Sequence, residues 1–207
     1  LVGLVGSEMC IRDRCVAGKY AFGEGNTRED DCKLCAVGTY STIEGSCSAC
    51  QDCPAGKYLN TTGNDAASDC DDCGCGKYSS VTAATTMDTC QGCVAGKYAP
   101  GAGNVNQSAC EPCAMGKYSR HPGQCSDTCV SCDAGTYLNS TGNDDPEDCV
   151  RCRAGKYLSD PGSSGVSNSS CVHCPCGTYS SVKGANSSST CQQCVAVKIA
   201  GAASTRA

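Results

Sequence analysis

Twenty-four of the 207 residues are cysteine, and thiols at regular spacing can close disulfides, hold a metal or turn over as a redox couple. Spacing separates the three. Cys70 and Cys73 followed by Cys90 and Cys93 match the two-knuckle spacing of a zinc ribbon. The same pattern, however, runs on without pause through nine repeats, Cys75 and Cys176 spoil a simple four-ligand set, and the chain has only two histidines, His121 and His173. Zinc binding is therefore the minor alternative, and His173, between Cys171 and Cys174, is read as a loop histidine. A redox Cys-x-x-Cys needs an apolar strand before it and a helix behind it to depress the thiol pKa, and neither is visible. The expectation is disulfide chemistry without catalysis, metal or cofactor.

The elements that must position these thiols are the repeats. Each has about 20 residues, opens Cys-x-x-Gly-(Lys/Thr)-Tyr and closes on a Cys-x-x-Cys whose second cysteine opens the next. The glycines run Gly18, Gly38, Gly56, Gly76, Gly96, Gly116, Gly135, Gly155 and Gly177, and all nine tyrosines, Tyr20 to Tyr179, follow two residues later. The predicted closures are Cys15–Cys32, Cys35–Cys47, Cys53–Cys70, Cys73–Cys90, Cys93–Cys110, Cys113–Cys125, Cys132–Cys149, Cys152–Cys171 and Cys174–Cys191. Cys50 and Cys75, then Cys129 and Cys176, are left over at matching places, and the expectation is that they pair as Cys50–Cys75 and Cys129–Cys176. Sequence alone does not fix connectivity.

A longer period overlies the short one. LNTTGND at Leu59–Asp65 returns as LNSTGND at Leu138–Asp144, and the Cys75–Val81 segment returns at Cys176–Val182. The domain reading is a first block of four repeats over 15–92, a second of five over 93–194, and a divergent or truncated tail over 195–207. Cys194-Val-Ala repeats the openings at Cys15 and Cys93, so it reads as the start of a third block. Glu8–Arg14 resembles the translation of a transposon sequencing adapter, so residues 1–14 are read as non-native and any targeting signal is unreadable.

Leu, Ile, Val and Phe number only 24, and tryptophan is absent, so no ordinary apolar core is available and covalent staples must substitute. The fold class expected is small and disulfide-rich: an elongated tandem array, mostly coil with short β-hairpins and little or no helix. The repeat glycine supplies positive φ or close approach, and the tyrosine supplies a ring to cover a bridge. Contacts are expected mainly between neighbouring repeats. No run approaches the length of a membrane span, so membrane attachment would have to come through segments not included here.

Net charge is −5, which gives no support to nucleic-acid or anionic-membrane binding. Lys19, Lys57, Lys77, Lys97, Lys117 and Lys156 share one repeat position, replaced by Thr39, Thr136 and Thr178 elsewhere, and are read as edge protection of strands. The acidic clusters Glu29–Asp31, Asp69–Asp72 and Asp144–Asp148 lack the alternation of a calcium loop and read as solvated turn acids. Sequons at Asn60, Asn106, Asn139, Asn168 and Asn186 fit a secreted, glycosylated surface.

The repeated Cys-x-x-Gly-(Lys/Thr)-Tyr with Cys-x-x-Cys over residues 15–194 resembles the ephrin-receptor-like cysteine-rich repeat, related in style to growth-factor-receptor and tumour-necrosis-factor-receptor modules. The stretch from Cys35 through Cys47, Cys50 and Cys53 is closest to the necrosis-factor-receptor arrangement, but Leu59–Asp69 lacks the cysteine that arrangement needs, which favours the ephrin-receptor-like label. The resemblance implies an extracellular region of a cell-surface or secreted protein, with a protein or glycan partner, serving as an interaction ectodomain or spacer. A purely structural stalk or matrix component is the alternative. No kinase motif is present, so kinase activity is not carried over.

Overall fold

A computed structural model describes residues 15–23, 29–163 and 169–195. The readings of 1–14 as non-native, of the tail beyond Val195 and of the Asn168 sequon lie outside the described residues.

Each Cys-x-x-Gly-(Lys/Thr)-Tyr opening makes one turn and one two-residue strand. The turn closes by a backbone bond from the Lys/Thr position to the residue three before it, as in Lys19 N–H to the Val16 carbonyl at 3.1 Å. Where threonine replaces lysine its hydroxyl donates to the same carbonyl, Thr39 to Ala36 at 2.9 Å and Thr136 to Asp133 at 2.7 Å. The partner strand is the pair of residues enclosed by the closing Cys-x-x-Cys: Lys19 faces Leu34 and Tyr20 faces Lys33, and likewise Lys156 faces His173 and Tyr157 faces Val172. Nine such antiparallel hairpins are present among the described residues. The second strand is bracketed by a cysteine on each side, and the first runs from the turn to a residue whose N–H is taken by the next repeat, as Ala21 N–H is by Ser46 O.

A single 3-10 turn leads into several closing cysteines, at Glu29–Asp31, Ala67–Asp69, Met87–Thr89, Gln107–Ala109, Pro146–Asp148 and Ser188–Thr190. The residues ahead of three of them are Asn106, Asp145 and Ser187, whose side-chain oxygens accept the backbone N–H two residues on, the usual N-cap arrangement. No α-helix occurs among the described residues.

The chain divides into two compact units. The first takes in the described residues up to Cys113 together with Ser119–Thr128, and the second takes in Ala114–Tyr118 and Cys129 onward. The sequence blocks, by contrast, change at 92/93.

Within the first unit successive repeats are joined by three backbone hydrogen bonds. Gly18 N–H donates to Ser41 O at 2.8 Å, Ala21 N–H to Ser46 O at 3.0 Å and Gly45 N–H to Cys15 O at 2.6 Å, with Tyr20 and Ser46 in a parallel bridge. The triplet recurs down to Gly96–Ser119, Ala99–Gln124 and Gly123–Cys93. At about 0.5–1.5 kcal/mol net per bond, each step gains a few kcal/mol. The second unit repeats the pattern, for example Gly155 N–H to Ser180 O, Leu158 N–H to Ala185 O and Gly184 N–H to Cys152 O, at 2.8 to 2.9 Å.

Beside these nearest-neighbour bonds, the opening glycines of six repeats also meet the repeat after next. Gly56, at φ +82°, lies so close to the carbonyl of Gly103 that a Cβ would collide with it, and in the second unit Gly135 sits the same way on Gly184. Both members of each pair have positive φ, so the glycine requirement is steric as well as conformational.

Candidate interaction surface and disulfide frame

The core is the disulfides themselves. Cys35, Cys53, Cys73, Cys93, Cys113, Cys132 and Cys152 are fully buried, and the tyrosine of one repeat packs on the bridge of the next: Tyr40 against Cys53, Cys70 and Leu59, Tyr78 against Cys93, Cys110 and Ala99, Tyr137 against Cys152, Cys171 and Leu158. The structure forms Cys15–Cys32, Cys53–Cys70, Cys73–Cys90, Cys93–Cys110, Cys132–Cys149, Cys152–Cys171 and Cys174–Cys191. The four cysteines at zinc-ribbon spacing are thus divided among three separate bridges.

Four expected pairings are corrected. Cys35 bonds Cys50 rather than Cys47, with Cα atoms 5.7 Å apart. The closing cysteine is always the one immediately before the second strand, and Cys50 precedes Gln51–Asp52, which pairs with Thr39–Tyr40. That use of Cys50 rules out Cys50–Cys75. Cys75 instead bonds Cys125, which rules out Cys113–Cys125, although both Cys113 and Cys129 are disulfide-bonded. Cys176 carries a free thiol, so Cys129–Cys176 does not form. The signal was in the repeat rule itself: Cys50 and Cys129 each stand three residues before an opening cysteine, Cys53 and Cys132, whereas Cys47 and Cys125 do not.

Two further positions escaped the sequence reading. The residue after each tyrosine is buried in every repeat: Ala21, Ser41, Leu59, Ser79, Ala99, Ser119, Leu138, Leu158 and Ser180. Its signal is a restriction to Ala, Ser or Leu. The second is the left-handed residue whose N–H donates back to an opening cysteine, as in Gly45, Gly63, Gly103, Gly123, Gly162 and Gly184. Ala83 takes this place in the fourth repeat at φ +52°.

The lysine row lies half-buried along the first strands. Lys57 pairs with Asp72 across its own hairpin at 2.7 Å and also donates to Cys70 O at 3.3 Å, while Lys19 reaches Glu29 at 3.3 Å. Several clustered acids cap turns: Asp69 Oδ2 accepts from the N–H groups of Asp65 and Ala66, Asp148 Oδ2 from Asp145 N–H, and Asp145 Oδ1 from Glu147 N–H. Hydrogen bonding from Tyr98 to the Glu111 carboxylate, then desolvation and the charges of Glu111 and Asp127, push the Tyr98 phenol above its ordinary pKa. Asn60, Asn106, Asn139 and Asn186 are exposed. Asn106 uses its Oδ1 to cap Ser108 N–H, which leaves the side-chain nitrogen, where a glycan attaches, outside that bond.

One exposed row distinguishes the second compact unit. Val130, Val150 and Val172 face Tyr118, Tyr137 and Tyr157 across three successive hairpins and are 54%, 47% and 51% exposed, and the row ends at Gln192, which faces Tyr179 in the next. In the first unit the same register position holds Lys33, Gln51, Asp71, Gln91 and Glu111.

Fold and frame together define a disulfide-dense cysteine-rich repeat domain of the extracellular type. Compared with protein-family models and with curated proteins, the sequence matches no family model and no curated protein significantly. Among the described residues no helix is long and apolar enough to cross a membrane.

Proposed function

We propose that the chain is a non-enzymatic, extracellular cysteine-rich region of a cell-surface or secreted protein, similar to ephrin-receptor-like repeats, that presents a protein-recognition surface on a covalent frame. The observation that carries the reading is the division of labour within each repeat. The opening cysteines from Cys15 to Cys152 and the residue after each tyrosine are buried, the tyrosines from Tyr20 to Tyr157 are half-buried, and all keep to a narrow set of types, whereas the position facing the tyrosine is exposed and freely varied. The valine row of the second unit is the candidate recognition face, because exposed apolar side chains in register supply the desolvation that protein interfaces use.

The stalk or matrix reading draws on the backbone bonds between repeats, which would hold a spacing without any ligand. Secreted, glycosylated protein probed against an array of extracellular domains separates the two. A receptor-like role predicts a binder that is lost in Val130→Lys/Val150→Lys/Val172→Lys, with an unchanged disulfide map. Absence of any binder, or binding indifferent to that change, favours the stalk. Thiol alkylation and metal analysis of the same sample test the frame. Reactive thiols at Cys70, Cys73, Cys90 and Cys93 with stoichiometric zinc would replace the extracellular reading by a metal-binding one.

A further inference from the structure

Cys47 and Cys176 are exposed, carry free thiols and have no bridge among the described residues. They are not equivalent to each other. Each is equivalent to one half of Cys75–Cys125, the bridge that joins a repeat to the repeat after next.

Cys75 lies two residues after the opening Cys73 and immediately before the left-handed Gly76, and Cys176 stands in the same relation to Cys174 and the left-handed Gly177. Cys125 lies two residues after the left-handed Gly123 and one after Gln124, which pairs in parallel with Tyr98. Cys47 lies two residues after the left-handed Gly45 and one after Ser46, which pairs in parallel with Tyr20. Cys75 meets Cys125, with Cα atoms 4.8 Å apart, because Gly76 is seated on the carbonyl of Gly123.

A second observation concerns the seat itself. Gly18, Gly38, Gly56, Gly76, Gly116 and Gly135 each have a left-handed residue's carbonyl against the face where a Cβ would stand, but Gly155 and Gly177, beside Cys176, face open space among the described residues. The register closes as well. Cys125 lies in the second repeat after that of Cys75. If the repeat opening at Cys194-Val-Ala is matched to the one opening at Cys15-Val-Ala, Cys47 falls in the second repeat after that of Cys176.

We infer that Cys176 and Cys47 are the two halves of one inter-repeat disulfide, completed head to tail between this array and a second stretch of the same array. The bond forms by two exchanges with a low-molecular-weight disulfide such as oxidised glutathione. The Cys176 thiolate attacks it and releases one glutathione, then the Cys47 thiolate of the second stretch attacks the mixed disulfide at the Cys176 sulfur and releases the other. Two thiols lose two protons and two electrons, and one glutathione disulfide becomes two glutathiones.

The test uses the full chain with Cys10→Ser and Cys194→Ser, which leaves these two thiols free. Cys47→Ser and Cys176→Ser are prepared separately and incubated with oxidised glutathione, alone and mixed. The expected result is monomer from each alone and covalent dimer from the mixture, with a Cys47–Cys176 peptide on mapping. In parallel, residues 15–193 are joined directly to a second copy of 15–194, where the bridge is expected within one polypeptide at the high effective concentration of a tethered pair. A bridge in the tandem chain alone identifies the partner stretch as a continuation of the same polypeptide, and a bridge in the mixture identifies it as a second copy. The inference is overturned if Cys176 and Cys47 stay alkylatable in both arrangements while the other bridges map correctly. It is equally overturned if like pairs, Cys47–Cys47 or Cys176–Cys176, form as readily as the mixed pair.

Discussion

The two compact units carry one backbone and two different surfaces. Opposite their tyrosines the first presents Lys33, Gln51, Asp71, Gln91 and Glu111, and the second Val130, Val150 and Val172 followed by Gln192, yet both keep the same two-residue register and the same glycine-to-carbonyl bonds between repeats. The frame is therefore indifferent to what stands there, because the position is exposed and its strand is held by the cysteine on either side. The units also differ in stapling: Cys75–Cys125 lies wholly in the first, whereas the second holds the unbridged Cys176. Shape is a property of the bridges and glycines, and identity is a property of the few exposed positions between them.

The largest effect should come from attacking the part that the units share. Gly56→Ala in the first and Gly135→Ala in the second each force a Cβ into a backbone carbonyl at positive φ. Each is expected to destabilise its unit by about 3 kcal/mol or more, combining left-handed strain of about 1–2 kcal/mol with the displaced seat. Gly155→Ala, which meets open space among the described residues, should show only the strain. Amide exchange at Leu59 and Leu158 reads the first two, and a large inequality between them would break the claim of a common frame.

Removing the staple sharpens the contrast instead. Cys75→Ser/Cys125→Ser opens a 50-residue separation. The chain-entropy model puts the loss at no more than about 4 kcal/mol, and the bridges Cys73–Cys90 and Cys93–Cys110 shorten the effective loop and reduce it. Exchange should quicken in the first unit, at Ala99 and Ser79, with no change at Leu158. Equal loosening in both units would contradict the assignment of that bridge to one of them.

The smallest effect is a gain. Ala83→Gly relieves the one described non-glycine residue at positive φ and should raise the stability of the first unit by about 1 kcal/mol, read as a higher midpoint of thermal unfolding followed through the tyrosine near-ultraviolet signal.

Much of this was legible in the sequence. The Gly-Lys-Tyr openings give the turns and first strands, and the Cys-x-x-Cys pairs supply the second strands, since a strand between two staples needs no apolar alternation to hold its place. The 3-10 turns were not anticipated, although Asp145-Pro146 and the oxygens of Asn106 and Ser187 are local capping signals. The buried residue after each tyrosine was overlooked because a mixture of Ala, Ser and Leu carries no hydropathy signature. What marks it is the space left beneath the next repeat.

By itself the sequence determined the repeat, its covalent closures wherever one cysteine stood immediately before the second strand, and the absence of an ordinary apolar core. Those are consequences of spacing and composition within some 20 residues. Only the tertiary structure decided that Cys75 reaches Cys125. A staple between repeats depends on how far each step of the backbone turns and rises, and that is set by Gly18 meeting Ser41 and Gly76 meeting Gly123, contacts between residues remote in the chain that no local spacing records.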